Sequence, residues 1–118
     1  MIKEQFVSFD TAKMLKEAGF DVPCTSQYSE GKWIWNVSYP NNFNQCEFGY
    51  SRPTQALAAR WLRKVHHIDV VVDVVNEKEY CCDIYQNKQR KSIAESISSS
   101  FEEVLEDGLK YGLGLIKK

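Results

Sequence analysis

Three aspartates occur at spacings that could bring their carboxylates together. Asp69 and Asp73 lie in the apolar run 68–75, and Asp83 lies in the apolar run 80–85. If these runs pair as antiparallel strands, alternation places the three carboxylates on the outer face of the sheet. Clustered carboxylates can bind Mg²⁺ or act in acid–base catalysis. Outward acids are also expected on any half-solvated strand pair, so a metal-dependent enzyme is only a further alternative.

The cysteines and histidines do not form a metal-binding motif. The cysteines are Cys24, Cys46, Cys81 and Cys82, and no two have CxxC spacing. Adjacent Cys81 and Cys82 point to opposite faces of a strand and cannot bind one metal together. A zinc site that combines a cysteine with His66 or His67 would lack the usual ligand spacing. We therefore expect reduced thiols and no metal, and we expect no cofactor because phosphate-loop and nucleophile motifs are also missing.

A basic stripe lies on the best-defined helix of the chain, Ser51–Val65. Ser51 is placed to cap this helix, and Pro53 fits its first turn. Its apolar positions are Leu57, Ala58, Trp61, Leu62 and Val65, and its basic positions are Arg60, Arg63, Lys64 and His67. The basic positions could contact nucleic-acid phosphates. Alternatively, they form a solvated flank whose long side chains shield the edge of the core.

The segment Tyr39–Tyr50 is rich in asparagine and aromatic residues and has no periodicity, which predicts a loop. Phe43, Phe48 and Tyr50 could anchor this loop on the core. The alternative is a recognition surface for protein or single-stranded nucleic acid. Val71 and Tyr85, on the outer face of the strand pair, extend the candidate protein-binding residues, because that face is partly apolar and could meet another subunit.

The remaining segments give the fold. A first helix spans 8–18, capped by Ser8 and closed by Gly19, with Phe20 packing on Leu15. A hairpin joins Cys24–Tyr28 to Trp33–Val37, and the face carrying Trp33, Trp35 and Val37 is the better core candidate. The second hairpin needs a loop with an odd number of residues, which keeps Asp83 outside the core. Residues 87–100 read as a connection with at most one helical turn.

The last helix is capped by Ser99 or Ser100, and its glycines Gly108 and Gly112 predict close approach to another element, for which Trp61 is a candidate. The order α-β-β-α-β-β-α predicts an α+β fold. In it, an antiparallel sheet of about four strands, made of two hairpins, carries the helices on one face. The chain of 118 residues is expected to form one α+β domain, 1–118.

Composition narrows the possible locations and partners. The net charge of −1 means that any basic surface is local rather than general. The N-terminus has no apolar signal segment, and no apolar run reaches the roughly 18 residues of a membrane span. We therefore expect a cytoplasmic protein without a membrane partner.

Parts of the chain resemble a known group of proteins. The runs PTQALAARWLR (53–63) and FEEVLEDGL (101–109), with the segment that ends LKEAGFD (15–21), resemble a family of small uncharacterised proteins. Prophages and other mobile elements of gut Bacteroidetes carry this family. The resemblance covers most of the chain and implies an accessory role in a mobile element. It implies no catalytic residue, because the family has no assigned activity.

These observations favour a non-enzymatic module that binds another macromolecule or assembles with itself. Its expected partner is a protein or a second copy of the chain. Nucleic-acid binding through the basic face of helix 53–65 is the alternative.

Overall fold

The computed structural model describes residues 3–29, 33–91 and 96–116. The expected α+β class is confirmed: helices pack on antiparallel sheets. The strands form two separate sheets rather than the expected single one. The chain divides into two compact units, Met1–Thr54 and Gln55–Lys118.

The first unit begins with helix α1, Phe9–Glu17. The predicted cap is confirmed, because the Ser8 side chain accepts a hydrogen bond from the Thr11 backbone N–H. The predicted stop is also confirmed: Gly19 has a φ of 91°, and its N–H donates to Lys16 O. The Phe20 N–H donates to Leu15 O at 2.9 Å, and both side chains are buried. These two hydrogen bonds together form the Schellman motif, which needs a residue that tolerates positive φ.

The sheet of the first unit contains β1 (Cys24–Ser29), β2 (Trp33–Asn41) and β3 (Gly49–Ser51), in the order β2-β1-β3. A short 3-10 helix, Phe43–Gln45, precedes β3. The central strand β1 buries alternate residues, whereas β2 is exposed along most of its length. The expectation that Trp33, Trp35 and Val37 face the core was therefore wrong for the two tryptophans, and Val37 is only half-buried.

The second unit begins with helix α2, Gln55–His66, and ends with helix α3, Phe101–Gly114. Ser51 does not cap α2, because it belongs to β3 and is buried there. Within the predicted apolar stripe of α2, Ala58, Trp61 and Leu62 are buried, and Val65 is exposed. The predicted cap of α3 is confirmed at Ser100, whose side chain accepts from the Glu103 N–H.

Both helices pack on the hairpin of β4 (Ile68–Val74) and β5 (Tyr80–Gln86). Val74 pairs with Tyr80, so residues 75–79 form a loop of odd length, as predicted. Cys82 and Ile84 are buried on the core face. Asp83 stands opposite Val71 on the outer face, which confirms the expected register.

Two short strands replace part of the expected connection 87–100. Strand β6 (Gln89–Lys91) pairs with β5 through a tight turn in which Asn87 and Lys88 both have positive φ, 53° and 67°. This is the geometry of a two-residue type I′ hairpin. Strand β7 (Ile97–Ser98) pairs with the start of β5. The helical turn considered for 87–100 falls partly on 92–95, which lie outside the described residues.

The glycines of α3 let the helix lie close to the sheet. A Cβ at Gly108 would stand 2.6 Å from Val70 Cγ1, and one at Gly112 would stand 3.1 Å from Ile68 Cγ2. The predicted close approach is therefore confirmed. Its partners at these positions are Val70 and Cys82 for Gly108, and Ile68 and Leu62 for Gly112, rather than the suggested Trp61.

Candidate functional site

The largest exposed aromatic side chains of the first unit lie on its edge strand β2. Trp33 is 72% exposed and Trp35 is 60% exposed. Trp33 stands opposite Ser29, and Trp35 stands opposite Gln27. Directly opposed residues share a face of the sheet, so both indoles lie on the face opposite the buried Ser26 side chain. Trp33 and Trp35 share this face, and Ile34 lies between them in sequence but on the other face of the strand. These three residues are here called the tryptophan edge.

The backbone direction on this edge follows from one hydrogen bond of the neighbouring strand. The Ser26 carbonyl accepts from the Arg52 N–H at 2.9 Å, so the backbone groups of Ser26 point towards β3. Because these directions alternate along a strand, Gln27 and Ser29 point towards β2, and their partners Trp35 and Trp33 bond inside the sheet. The N–H and C=O groups of Ile34 and Asn36 therefore point away from the sheet, at an edge where no further strand pairs among the described residues; it is called the open edge below.

The open edge has a defined length. The pairing of β1 with β2 is regular from Ser29↔Trp33 to Ser26↔Asn36, and a bulge follows before Cys24↔Asn41. Pro40, which has no N–H to donate, lies inside the bulged part. Neither β1 nor β2 contains a charged residue. Bulges, prolines and charges protect edge strands from pairing, so the regular segment 33–36 is the unprotected part of β2.

The asparagine-rich segment is held in place by Lys16. The Lys16 ammonium group donates to the carbonyls of Cys46 (2.6 Å), Glu47 (3.1 Å) and Gly49 (2.7 Å). It also lies 4.6 Å from the centre of the Tyr50 ring. All three donors of the ammonium group are used by backbone that would otherwise rely on water. Lys16 therefore ties α1 to the loop before β3.

Two of the three asparagine side chains of this segment form hydrogen bonds inside the unit. Asn44 donates to the Phe20 carbonyl and accepts from the Ser51 N–H, while Asn42 accepts from the Asn44 N–H. Ser51 Oγ accepts from the Phe43 N–H. Phe43 is buried, so its expected place on a protein-binding surface was wrong, and the anchoring alternative is the correct one for this residue.

The other four residues expected to bind protein differ in exposure. Phe48 is 67% exposed, whereas Tyr50 is half-buried with its ring edge-on to Phe9 at 5.3 Å. Val71 is exposed and Tyr85 is half-buried on the outer face of the β4–β5 hairpin. Phe48 and Tyr50 belong to the first unit, and Val71 and Tyr85 to the second.

The three aspartates lie on the outer face of β4 and β5, as their alternation predicts. Asp69 forms an ion pair with Lys88 at 3.2 Å, and Asp83 forms one with Arg90 at 2.8 Å. Asp73 accepts from the N–H of its neighbour Val74. Among residues 3–29, 33–91 and 96–116, no group of three histidines, cysteines or acids is arranged to hold a metal ion. The geometry therefore gives the metal-dependent alternative no support.

The basic flank of α2 is accessible. Its members Arg60, Arg63, Lys64 and His67 are all exposed, and in the described part of the chain no ion pair involves them. His67 lies just after the helix with a φ of 56°, and its carbonyl accepts from the Asn87 N–H. His66 packs edge-on against Trp61, with ring centres 4.8 Å apart. His66 is therefore a packing residue at the helix end, whereas His67 closes the helix.

The four cysteines are free thiols, as expected. Burial raises the pKa of Cys24 to about 11. Burial, with smaller contributions from Cys81, Asp107 and Asp83, raises the pKa of Cys82 to about 11 as well. Both thiols therefore stay protonated at neutral pH and are poor nucleophiles and metal ligands. Cys46 is the exposed thiol of the set.

Sequence reasoning missed the tryptophan edge because it placed Trp33 and Trp35 in the core. A signal for the correct placement was present: β1 and β2 contain no charged residue, and the apolar residues 33–35 are consecutive rather than alternating. Three consecutive apolar residues cannot all face one core, so at least one side of such a strand needs a different partner.

Within the described residues, every helix is too short or too polar to cross a membrane. No protein-family model matches the chain, and neither does any curated protein sequence or solved structure.

Proposed function

We propose that this protein is a small, non-enzymatic accessory protein of a prophage or other mobile element that acts in the cytoplasm by binding another protein. The observation that carries the binding role is the exposure of Trp33 and Trp35 on an open edge strand. The mobile-element role is supported by the resemblance of residues 53–63 and 101–109 to proteins carried by such elements.

Exposure of the two tryptophans is costly unless they are covered in the working state. Single exposed apolar residues are ordinary, but contiguous apolar patches mark interaction sites. Trp33 and Trp35 lie on the same face of β2 and are both mostly exposed. Tryptophan is also among the residues that contribute most to protein–protein binding energy, because its large, rigid surface loses little entropy when it is covered.

The chemistry of the surface favours a protein partner over nucleic acid. Nucleic-acid affinity comes largely from lysine and arginine contacts to phosphates, and neither β1 nor β2 carries a charged side chain. The backbone groups of Ile34 and Asn36 at the open edge can pair instead with an extended strand of a partner. In this mode, backbone hydrogen bonds give affinity and the alternating side chains give specificity.

The test is affinity capture from the native host with three matched baits. The first is the wild-type chain, and the second carries Trp33→Ser and Trp35→Ser. The third carries Arg60→Glu, Arg63→Glu and Lys64→Glu, which reverses the basic flank and leaves the tryptophan edge intact. We expect a protein partner on the first and third baits and its loss from the second. Recovery of the same partner on all three baits would contradict a role for the tryptophan edge.

The genomic test of the mobile-element role is independent of the capture experiment. We expect the gene to lie among integration, packaging or mobilisation genes and to be missing from closely related genomes that lack the element. A fixed chromosomal position among housekeeping genes in all such genomes would exclude the mobile-element role and leave the binding role untouched.

Nucleic-acid binding through α2 is the second candidate, because the basic flank is exposed and unpaired in the described part of the chain. Three or four phosphate contacts would make the affinity fall steeply with salt, with a slope of about −3 in a plot of log affinity against log salt for duplex DNA. The charge-reversed bait should then lose DNA or RNA binding in a fluorescence anisotropy titration. Unchanged binding by that variant, or none by the wild type at 50 mM salt, would exclude this candidate.

A further inference from the structure

The open edge of β2 fits a second copy of the same strand. We propose that two copies of the chain associate by antiparallel pairing of β2 with β2, so that each three-stranded sheet continues into the other. In this register Ile34 stands opposite the partner's Asn36, and Trp35 stands opposite the partner's Trp35. This inference rests on the proposed function, because it names the protein partner of the tryptophan edge.

The register follows from the backbone directions. Ile34 and Asn36 both direct their N–H and C=O groups to the open edge, as the Arg52–Ser26 hydrogen bond and the β1–β2 pairing require. When Ile34 faces the partner's Asn36, these two residues exchange two hydrogen bonds, and the two-fold axis repeats the exchange on the other side. Every outward backbone group of the two residues is then paired. The axis passes beside Trp35, at a position without hydrogen bonds where side chains come closest.

The charge and side-chain composition of β2 also favour a second copy of β2 as the strand that pairs at the open edge. The nine residues of β2 are Trp, Ile, Trp, Asn, Val, Ser, Tyr, Pro and Asn, none of them charged. Antiparallel pairing of a charged strand with itself brings like charges near each other, whereas this strand pairs with itself without repulsion. The pairing also places Trp35 against its own copy in the partner. A charged partner strand would lose hydration here without gaining a counter-charge.

The structure also limits the strength of the association. The bulge after Asn36 and Pro40 stop regular pairing beyond the segment 33–36. The exposed parts of Trp33, Ile34 and Trp35 amount to on the order of 400 Å² per copy, since a whole tryptophan offers about 250 Å². Because these side chains project from the faces of the sheet, edge pairing covers only part of that area, so two copies bury less than roughly 800 Å² of side-chain surface, below the 1,200–2,000 Å² of stable interfaces. The dimer should therefore be weak and dissociate on dilution.

The first test is sedimentation velocity of the full chain between about 1 µM and 1 mM. We expect the mass to rise with concentration from that of the 13.7 kDa chain towards twice that value. Asn36→Pro removes an N–H at the open edge and no hydrogen bond to β1, and proline is tolerated at such edge positions. It should weaken the dimer about tenfold or more, because the two-fold axis makes each substitution act twice. The matched control Asn36→Ala keeps the N–H and should change Kd less than about threefold.

A second pair of variants uses side chains instead of backbone. Trp35→Glu places two carboxylates opposite each other at the two-fold axis and should abolish the dimer across the whole concentration range. Tyr39→Glu puts the same charge on the same strand beyond the regular segment, at a side chain that is 67% exposed, and should leave the dimer intact. Far-ultraviolet circular dichroism and thermal melting check that each variant is folded. We expect both variants to fold, because neither Trp35 nor Tyr39 is buried.

The outcomes separate this inference from the proposed function. A wild-type chain that stays monomeric at 1 mM, or a dimer that survives both Asn36→Pro and Trp35→Glu, overturns β2–β2 pairing. If the monomeric chain still captures a host protein that is lost with Trp33→Ser and Trp35→Ser, the proposed function stands and only the identity of the partner changes. If the dimer forms as described and no host protein is captured, self-association is the binding role.

Discussion

Strands β2 and β4 are both rich in apolar residues, but of the two only β4 has one face covered by helices. In β4, Ile68 and Val70 lie under α3, which comes close enough only because Gly108 and Gly112 have no side chain. In β2, Trp33 and Trp35 are mostly exposed, and the strand is the edge of its sheet. An apolar pattern therefore predicts that a strand forms, whereas the element that covers it has to be supplied by another part of the chain or by another molecule.

The glycines of α3 show how this helix is adapted to cover β4. Glycine costs a helix interior about 1 kcal/mol each relative to alanine. The second unit accepts this cost because a Cβ at Gly108 would stand 2.6 Å from Val70 Cγ1 and 3.3 Å from Cys82 Sγ. No comparable adaptation to a neighbouring helix is found along β2, whose side chains are exposed or half-buried throughout. The first unit is therefore the one whose sheet has an uncovered apolar strand.

The largest effect should come from breaking the covered interface. Gly108→Val adds three carbons where there is no room for one, so we expect a loss of roughly 2–3 kcal/mol in the free energy of unfolding. Urea unfolding followed by circular dichroism measures this change. Gly114→Ala is the control: nothing lies within 4 Å of its Cβ position, and the change should be neutral or stabilising by up to about 1 kcal/mol. Equal midpoints for both variants would contradict the close approach of α3.

A smaller loss is expected from releasing the loop before β3. Lys16→Met keeps the aliphatic stem and removes hydrogen bonds to three carbonyls, so the free energy of unfolding should fall by about 1–2 kcal/mol. Hydrogen exchange should also become faster at residues 46–51. Lys13→Met is the matched control on the same helix, because within the described residues the Lys13 ammonium group contacts only the Phe9 ring, at 5.6 Å. A loop that is equally protected in both variants would show that Lys16 does not hold it.

The buried thiols provide a pH test in both units. Burial raises the pKa of Cys24 and of Cys82 from 9.0 to about 11, so the folded chain holds these protons more tightly than the unfolded chain does. Their contribution to stability is complete below pH 9 and is lost as the pH rises through about 11. Unfolding titrations at pH 8, 9.5 and 10.5 should show this fall, and the double variant Cys24→Ala and Cys82→Ala should show a shallower one.

Alkylation gives an independent measurement of the same thiols. At pH 8, iodoacetamide should modify the exposed Cys46 well before Cys24 or Cys82, as peptide mass spectrometry can follow over time. Modification of all three at one rate would contradict the burial of Cys24 and Cys82.

The smallest effect on stability should come from the uncovered strand. Because Trp33 and Trp35 are mostly exposed, Trp33→Ser with Trp35→Ser should change the free energy of unfolding by less than about 0.5 kcal/mol. The same pair should abolish partner capture, which separates a binding surface from a core. A loss above about 2 kcal/mol in urea unfolding would show that the two indoles are packed in the folded chain and would remove the contrast with β4.

Much of the fold could be predicted where the controlling interactions are local. Ser8 and Ser100 cap their helices through side chains that bond the backbone three residues ahead, and Gly19 ends α1 because it tolerates a positive φ. The odd loop 75–79 followed from keeping Asp83 out of the core, since a shift by one residue reverses every side chain of a strand. The missed strand β6 depends on Asn87 and Lys88 in a tight turn, and lysine is an unusual residue at positive φ.

The candidate site could not be predicted in the same way. Its tryptophans were recognised as apolar residues on a strand, but whether they are covered depends on elements far away in sequence. The same holds for the burial of Phe43, and for Ser51, which lies in β3 with its hydroxyl bound to the Phe43 N–H instead of capping α2. Likewise, nothing near Lys16 in the sequence indicates carbonyl partners that lie 30 to 33 residues later.

The sequence by itself therefore determined the caps of α1 and α3, the stop of α1 at Gly19, the register of the β4–β5 hairpin and the α+β class, because hydrogen bonds and side-chain alternation over a few residues decide them. Only the tertiary structure decided which apolar strand is covered. Whether a strand is covered depends on residues that are distant in the chain and meet only in the folded protein. In this fold Trp33 and Trp35 of β2 stay exposed and accessible to a partner.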